Sequence, residues 1–271
     1  MIKLNGEPVK IDSFPDGTIL MKQGLVGNLG THIEWKYESD REFLALIYLV
    51  KHLRSKSIDR ISLYMPYIPN ARMDRVKNLN DVFTLKYFAE VLNNLDFYAV
   101  RVLDPHSSVS EALINNLWID QPKDHIESAI CNINGGWFNY NTIGEKLMMF
   151  YPDEGAMKRY SGMVKLPYAF GIKKRDWETG KILGLDVSGN VDAIAGKDIL
   201  IVDDICSRGG TFYHSAKKLK ELGANNIYLY ISHCENTILE GELLTSGLIE
   251  KVYTTNSIFT KEHELIEVFE L

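Results

Sequence analysis

Apolar and polar positions along this chain fall into two periods, and their order predicts an α/β architecture. Thr31 to Tyr37 alternates residue by residue and predicts a strand. Ser39 and Glu42 then stand at capping-box spacing, and Phe43, Leu46, Ile47, Val50 and Leu53 give the following helix one apolar face. Arg60 to Met65 predicts a strand, Val82 to Leu95 a second amphipathic helix, and Phe97 to Leu103 a third strand. Strands and helices alternating in this way form a mainly parallel sheet. The second half repeats the plan. Its predicted strands are Lys146 to Phe150, Tyr168 to Ile172, Ile199 to Val202, Ile227 to Ser232, Lys251 to Thr255 and an edge strand from Ile266 to Leu271. Phe212, Ala216, Leu219 and Leu222 repeat at helical spacing, with Gly223 where a C′ residue belongs. Two tandem α/β domains are expected, residues 1–138 and 139–271, with no Pro-, Gly- or Ser-rich linker between them.

Composition narrows the partners. A chain of 271 residues suits two subdomains, and 45% hydrophobic with 24% charged residues describes a globular protein. Thirty basic against thirty-six acidic residues give a net charge of −6, so any phosphate site must be local and no nucleic-acid surface is implied. The apolar run Phe43–Val50 is far too short for a membrane span, and MIKLNGEPVKID lacks a signal-peptide core. Cys131, Cys206 and Cys234 have neither metal-ligand spacing nor an evident disulfide framework. The expectation is a soluble protein of the cytoplasm.

The candidate chemistry concentrates in KDILIVDDICSRGGT, Lys197 to Thr211. Ile199 to Val202 reads as a strand buried on both faces. Asp203 and Asp204 follow at its carboxyl end, where open α/β sheets bind ligands. Gly209 and Gly210 allow close backbone approach, and Thr211 adds a hydroxyl at the helix start. Free N–H groups there favour a phosphate, while paired carboxylates accept hydrogen bonds from vicinal hydroxyls or hold a cation. A phosphorylated ribose satisfies both halves.

VDDICSRGGT resembles the phosphoribosyl-binding signature of type I phosphoribosyltransferases and of ribose-phosphate diphosphokinases, the PRPP synthetases. Five further stretches resemble the diphosphokinases in the same order: FPDGT (14–18), PYIPNARMDR (66–75), LDPHSS (103–108), PDEGAMKR (152–159) and TTNSI (254–258). The resemblance implies two phosphoribosyltransferase-like domains, the first for ATP and the second for a ribose-phosphate acceptor. Residue by residue it implies ATP contacts at Phe14, Asp16, Arg72, Asp74 and His106, and Mg²⁺ held by Asp104 and His106. Asp153, Asp203, Asp204, Ser207, Arg208, Gly209, Gly210 and Thr211 would hold the acceptor. Lys173 and Arg175, in the charged segment KKRDWETGK, match a catalytic Lys-x-Arg pair, with Lys174 as a rival for the lysine.

The implied reaction moves the β,γ-diphosphoryl group of ATP to an anomeric hydroxyl and releases AMP. Such a transfer is catalysed mainly by positioning and by cations, with His106, Lys173 and Arg175 placed to supply them. The resemblance also implies a homo-oligomer in which Phe14 and Asp16 complete a neighbouring subunit's adenine pocket. The chain departs from the family's VDDxxDTxGT pattern at Ser207 and Arg208, and Thr18 and Met73 replace a Glu and a Gln. An Arg at 208 can grip a second phosphate, a feature of short phage-type relatives, some of which use ADP-ribose to rebuild NAD. Ribose 5-phosphate and ADP-ribose both stand as acceptors. The alternatives are a phosphoribosyltransferase that consumes PRPP, with no ATP requirement, and a catalytically silent nucleotide-binding regulatory homologue.

Overall fold

A computed structural model describes residues 1–23, 30–136, 139–175 and 182–271; among these, the side chains of residues 140, 141, 173–175 and 182–185 are not described. The chain divides into two compact units, Met1–Gln121 and Pro122–Leu271.

The first unit contains β1 (Ile2–Leu4), β2 (Glu7–Pro8), β3 (Ile11–Ser13), β4 (Ile19–Met21), β5 (Thr31–Trp35), α1 (Asp40–Ser55), β6 (Ile61–Tyr64), α2 (Thr84–Asn93), β7 (Ala99–Leu103), α3 (Val109–Leu113) and β8 (Leu117–Asp120). Six strands form a sheet in the order β2-β1-β5-β6-β7-β8, and β3 pairs with β4 as a separate hairpin. β5 to β8 run parallel, and β1 runs antiparallel to both its neighbours. The predicted apolar stripe of α1 is buried at Leu46, Val50 and Leu53, against Ile33, Trp35 and Leu63 of the sheet. The capping box differs from expectation, because the Ser39 side chain makes no cap bond. Glu42 instead accepts from Glu38 N at 3.0 Å and from the Trp35 indole at 3.1 Å. The buried indole N–H needs an acceptor, and that demand decides where the carboxylate goes.

The second unit contains α4 (Lys123–Ile133), α5 (Tyr140–Ile143), β9 (Leu147–Tyr151), α6 (Glu154–Tyr160), β10 (Tyr168–Arg175), β11 (Ile182–Gly189), β12 (Asp198–Cys206), α7 (Gly210–Glu221), β13 (Ile227–Cys234), β14 (Lys251–Thr255) and β15 (Ile266–Phe269). Its seven strands are ordered β11-β10-β9-β12-β13-β14-β15, parallel except for the antiparallel pair β10–β11. Alternation along β12 sends Ile199 and Ile201 into one core, with Phe212 and Leu219 of α7. It sends Leu200 and Val202 into a second core, with Ala156 and Tyr160 of α6. A strand covered on both faces has to be apolar throughout, and this one is.

Three boundaries differ from the sequence expectation. The units divide after Gln121, not after residue 138, because α4 buries Ile126, Ala129 and Ile130 in the core of the second unit. β12 continues past Val202 to Cys206, so Asp203 and Asp204 lie within the strand, held by its pairing to β13. β10 extends beyond Ile172 through Lys173, Lys174 and Arg175, which pair with β11 across a register shift after Lys174. The backbone of the basic segment's start is therefore strand, not loop. Among the described residues, no helix is long and apolar enough to cross a membrane.

Candidate functional site

In the second unit β12 places two acids side by side near its carboxyl end. The Asp204 N–H donates to Asp203 Oδ1 at 3.0 Å. Burial first, and then the negative charge of Asp204, holds the Asp203 carboxyl well above the usual range, and Asp153 pushes in the same direction. Asp153 is the N-cap of α6, where its Oδ1 accepts from Ala156 N at 3.1 Å. Asp204 faces the other end of that short helix, with its Oδ2 at 3.5 Å from Arg159 Nη1. Three acids thus converge, one with a cation beside it and one biased toward its neutral form.

The loop after β12 is braced from beneath. Gly209 adopts φ 77, and a Cβ there would stand 2.9 Å from Leu243, so only glycine fits. Gly241 is pressed closer still: its Cβ would lie 1.9 Å from the Arg208 carbonyl oxygen. Gly210 has open space around it and begins α7, followed by the exposed Thr211. The Ser207 hydroxyl donates to Glu235 Oε2 at 2.7 Å, and Thr237 donates to the same oxygen at 3.0 Å. Arg208 pairs with Glu240 at 3.0 Å on the surface. Sequence reasoning missed Arg159, Glu235 and Glu240. Arg159 ends the quoted PDEGAMKR stretch and could have been found by its place one short helix after Asp153. Glu235 follows the carboxyl end of β13 and Glu240 ends the short helical turn after it, so both reach the loop from a distant part of the sequence that no local spacing reveals.

In the first unit the PYIPNARMDR loop and the LDPHSS segment meet. Buried Asp74 accepts from Arg75 Nε at 2.6 Å and Nη2 at 2.7 Å, a two-point grip. Those bonds, with Ser107 and the nearby His106, lower the Asp74 carboxyl to about 2 against the opposing effect of burial. Asp104 is buried at the end of β7 with φ 40, a left-handed backbone that few residues adopt. Its N–H donates to Asp120 O at 3.0 Å, so the pairing of β7 with β8 holds that strained turn in place. His106 is half-buried and Arg72 exposed. Phe14 and Asp16 occupy the β3–β4 turn, where Asp16 Oδ1 accepts from Thr18 N at 3.0 Å and Thr18 Oγ1 at 2.7 Å. Thr18 therefore fixes Asp16. Phe14 is 49% exposed. The side chains of Lys173, Lys174 and Arg175 lie outside the described residues.

A tandem pair of α/β units, one with a glycine-bearing loop behind paired acids, is the architecture of the phosphoribosyltransferase-like folds. Phosphoribosylpyrophosphate synthetase from Mycobacterium smegmatis superposes with a TM-score of 0.78 over 97% of this chain and 86% of that one, at 17% identity. In sequence the chain is similar to ribose-phosphate pyrophosphokinases. It is 28% identical to ribose-phosphate pyrophosphokinase 1 of Listeria monocytogenes over 237 residues, 85% of this chain and 70% of the relative. It is 27% identical to the ribose-phosphate pyrophosphokinase of Thermococcus kodakarensis over 267 residues, 97% of this chain and 90% of the relative. No family model matches the chain.

Proposed function

We propose that this protein transfers the β,γ-diphosphoryl group of ATP to the anomeric hydroxyl of a 5-phosphorylated ribose, releasing AMP, with Mg²⁺ as cofactor. One observation carries the reading: Asp203, biased toward its neutral form beside Asp153 and an Arg-paired Asp204, lies near the end of the strand that leads into a loop closed by glycines. A sugar diol needs hydrogen-bond partners of both kinds, and a phosphate needs free N–H groups. The sequence relationship to ribose-phosphate pyrophosphokinases points the same way.

In this reading the first unit binds ATP through Arg72, Asp74 and His106, with Phe14 and Asp16 serving a neighbouring copy in a cytoplasmic homo-oligomer. The second unit binds the acceptor: Asp153, Asp203 and Asp204 take its hydroxyls, and Ser207 to Thr211 take its 5-phosphate. Lys173 and Arg175 lay positive charge on the transferring group. Asp104 and His106 suit a magnesium that arrives on the nucleotide, since such an ion keeps most of its waters and needs only one or two protein ligands beside phosphate oxygens. Buried Asp104 offers the hard oxygen donor. Bound there, the ion would neutralise charge on the phosphates.

Ribose 5-phosphate would give PRPP. ADP-ribose is the second acceptor, giving ADP-ribose pyrophosphate for rebuilding NAD. It is favoured by the exposed guanidinium of Arg208 beside the loop, which suits a second phosphate. Phosphorus NMR of ATP with each acceptor tests both. AMP should appear only with acceptor and Mg²⁺ present; formation of ADP instead would overturn the reading.

A further inference from the structure

We infer that Arg159 is a positioning residue of the proposed acceptor site, holding Asp204 as an oriented carboxylate behind Asp203. The inference rests on the assignment of these acids to the acceptor.

Two adjacent carboxyls, one half-buried and one buried, oppose each other's ionisation, so a neighbouring cation selects which of them carries the charge. The selection is made by α6. Its last turn brings Arg159 Nη1 to 3.5 Å from Asp204 Oδ2, with the two side chains only 24% and 8% exposed. The contact is thus little screened by solvent. The guanidinium is itself held, because Nη1 donates to the Tyr160 hydroxyl at 3.3 Å and its carbon stands 5.6 Å from the centre of the Tyr160 ring. Tyr160 is fully buried and stacks on Tyr151 of β9, so the cation is anchored to the core. The same helix presents Asp153 at its N-cap, on the side where that acid adds to the negative field around Asp203.

One seven-residue helix therefore delivers a cation to Asp204 and an anion toward Asp203. A diol arriving there meets one fixed acceptor and one group able to donate. As a positioning residue, Arg159 is expected to act on the acceptor mainly through its contact with Asp204.

The test uses the full chain with Arg159→Met, Arg159→Lys, Asp204→Asn and the double variant Arg159→Met/Asp204→Asn, read by AMP formation. Arg159→Met should raise the acceptor KM about 10–100-fold while the ATP KM stays within about twofold. Arg159→Lys, which keeps the charge, should recover most of that loss. In the Asp204→Asn background the Met substitution should add less than about twofold, as expected for residues acting through one contact. Equal changes in both KM values, or effects that multiply in the double variant, would overturn the inference. Thermal melts report whether Arg159→Met folds; if it does not, the Lys variant and its double with Asp204→Asn decide. If the wild type makes no AMP, the activity reading fails separately. Calorimetric titration with ribose 5-phosphate then decides: weaker binding by Arg159→Met than by wild type supports the positioning role. Equal binding, or no binding by wild type, overturns it.

Discussion

Asp74 in the first unit is buried and Asp203 in the second half-buried, yet their surroundings push their protons in opposite directions. Asp74 is gripped at two points by Arg75 and lies near His106, so its carboxyl falls to about 2. Asp203 is half-buried beside two other acids, and the nearby cation pairs with its neighbour Asp204, so its carboxyl is held high. Some burial is common to both; the sign is set by which charge stands next to the group. A permanent anion suits a site that orders cationic side chains and metal-bearing nucleotide. A reluctant one suits a site that receives hydroxyls and stores unfavourable energy until they arrive.

The largest expected effect follows from that stored energy. Asp203→Asn should cut acceptor-dependent AMP formation by about 100-fold or more, since a transition-state contact is lost. The same change should stabilise the unliganded protein. Asp203 has a folded-state value raised above its unfolded one, so its stabilising contribution is complete below the ordinary carboxylate range. That contribution is lost as pH rises through the folded value. The wild type carries a growing penalty as pH rises toward the folded value, and the Asn variant carries none. Melting curves taken at rising pH from the ordinary carboxylate range upward should show the variant gaining on the wild type as Asp203 ionises. A variant that melts lower throughout and gains nothing as pH rises would erase the contrast between the two acids.

The next effect separates backbone fit from charge. Where the first unit orders its acid with a guanidinium, the second shapes its loop with glycine contacts. Gly241→Ala places a methyl group 1.9 Å from the Arg208 carbonyl oxygen, and the loop must move. A cost of about 1–3 kcal/mol in stability is typical of such overpacking, with a rise in acceptor KM and an unchanged ATP KM. Chemical denaturation beside two-substrate kinetics checks both. Equal damage to the ATP KM would show that the loop does not belong to one substrate.

Much of this was legible in the residue order, and the omissions have physical reasons. The β12 stretch announced itself because a strand buried on both faces must be apolar, and its acids and glycines break that run in a pattern few other structures need. The α1 stripe and the Gly223 stop were equally plain, each being set by residues close in sequence. What hid were partners supplied from elsewhere. Glu235 answers Ser207, Gly241 answers Arg208, and Glu42 turns from Ser39 to an indole on the preceding strand. The unit boundary was misplaced for a similar reason: α4 buries Ile126, Ala129 and Ile130 in the core of the second unit, and only that distant packing tells which unit owns it. The extra length of β10 was concealed by charge, since Lys173, Lys174 and Arg175 look like loop residues and yet pair with β11.

A smaller effect tests the first unit's half of the comparison. Arg75→Met should remove the strongest cause of the low Asp74 value and leave the acid burdened by burial. Asp74 has a depressed folded value, so its stabilising contribution exists above the ordinary carboxylate range and is lost as pH falls through about 2. Without Arg75 that loss should begin at higher pH. The acid-unfolding midpoint should move upward by a few tenths of a pH unit, roughly, because Arg75 is itself solvent-exposed and its charge partly screened. Far-ultraviolet circular dichroism during acid titration reads the midpoint. An unmoved midpoint would mean that Ser107 and His106 hold the carboxylate without help.

The smallest effect concerns Arg208, which could serve the loop or merely decorate it. Its pair with Glu240 joins side chains that are 71% and 58% exposed. A pair so open to solvent contributes at most about 0.5 kcal/mol, so Glu240→Gln should leave the melting temperature nearly unchanged. Kinetics are expected to respond in a different way. Releasing the guanidinium from Glu240 frees it for a phosphate, and the KM for a phosphorylated acceptor should fall about twofold to threefold, more for ADP-ribose than for ribose 5-phosphate. High salt should shrink that gain, because the attraction acts through water. An unchanged KM for both acceptors would leave Arg208 a surface charge, and recognition of the acceptor's far phosphate would then have to come from Ser207 and the backbone N–H groups that follow it.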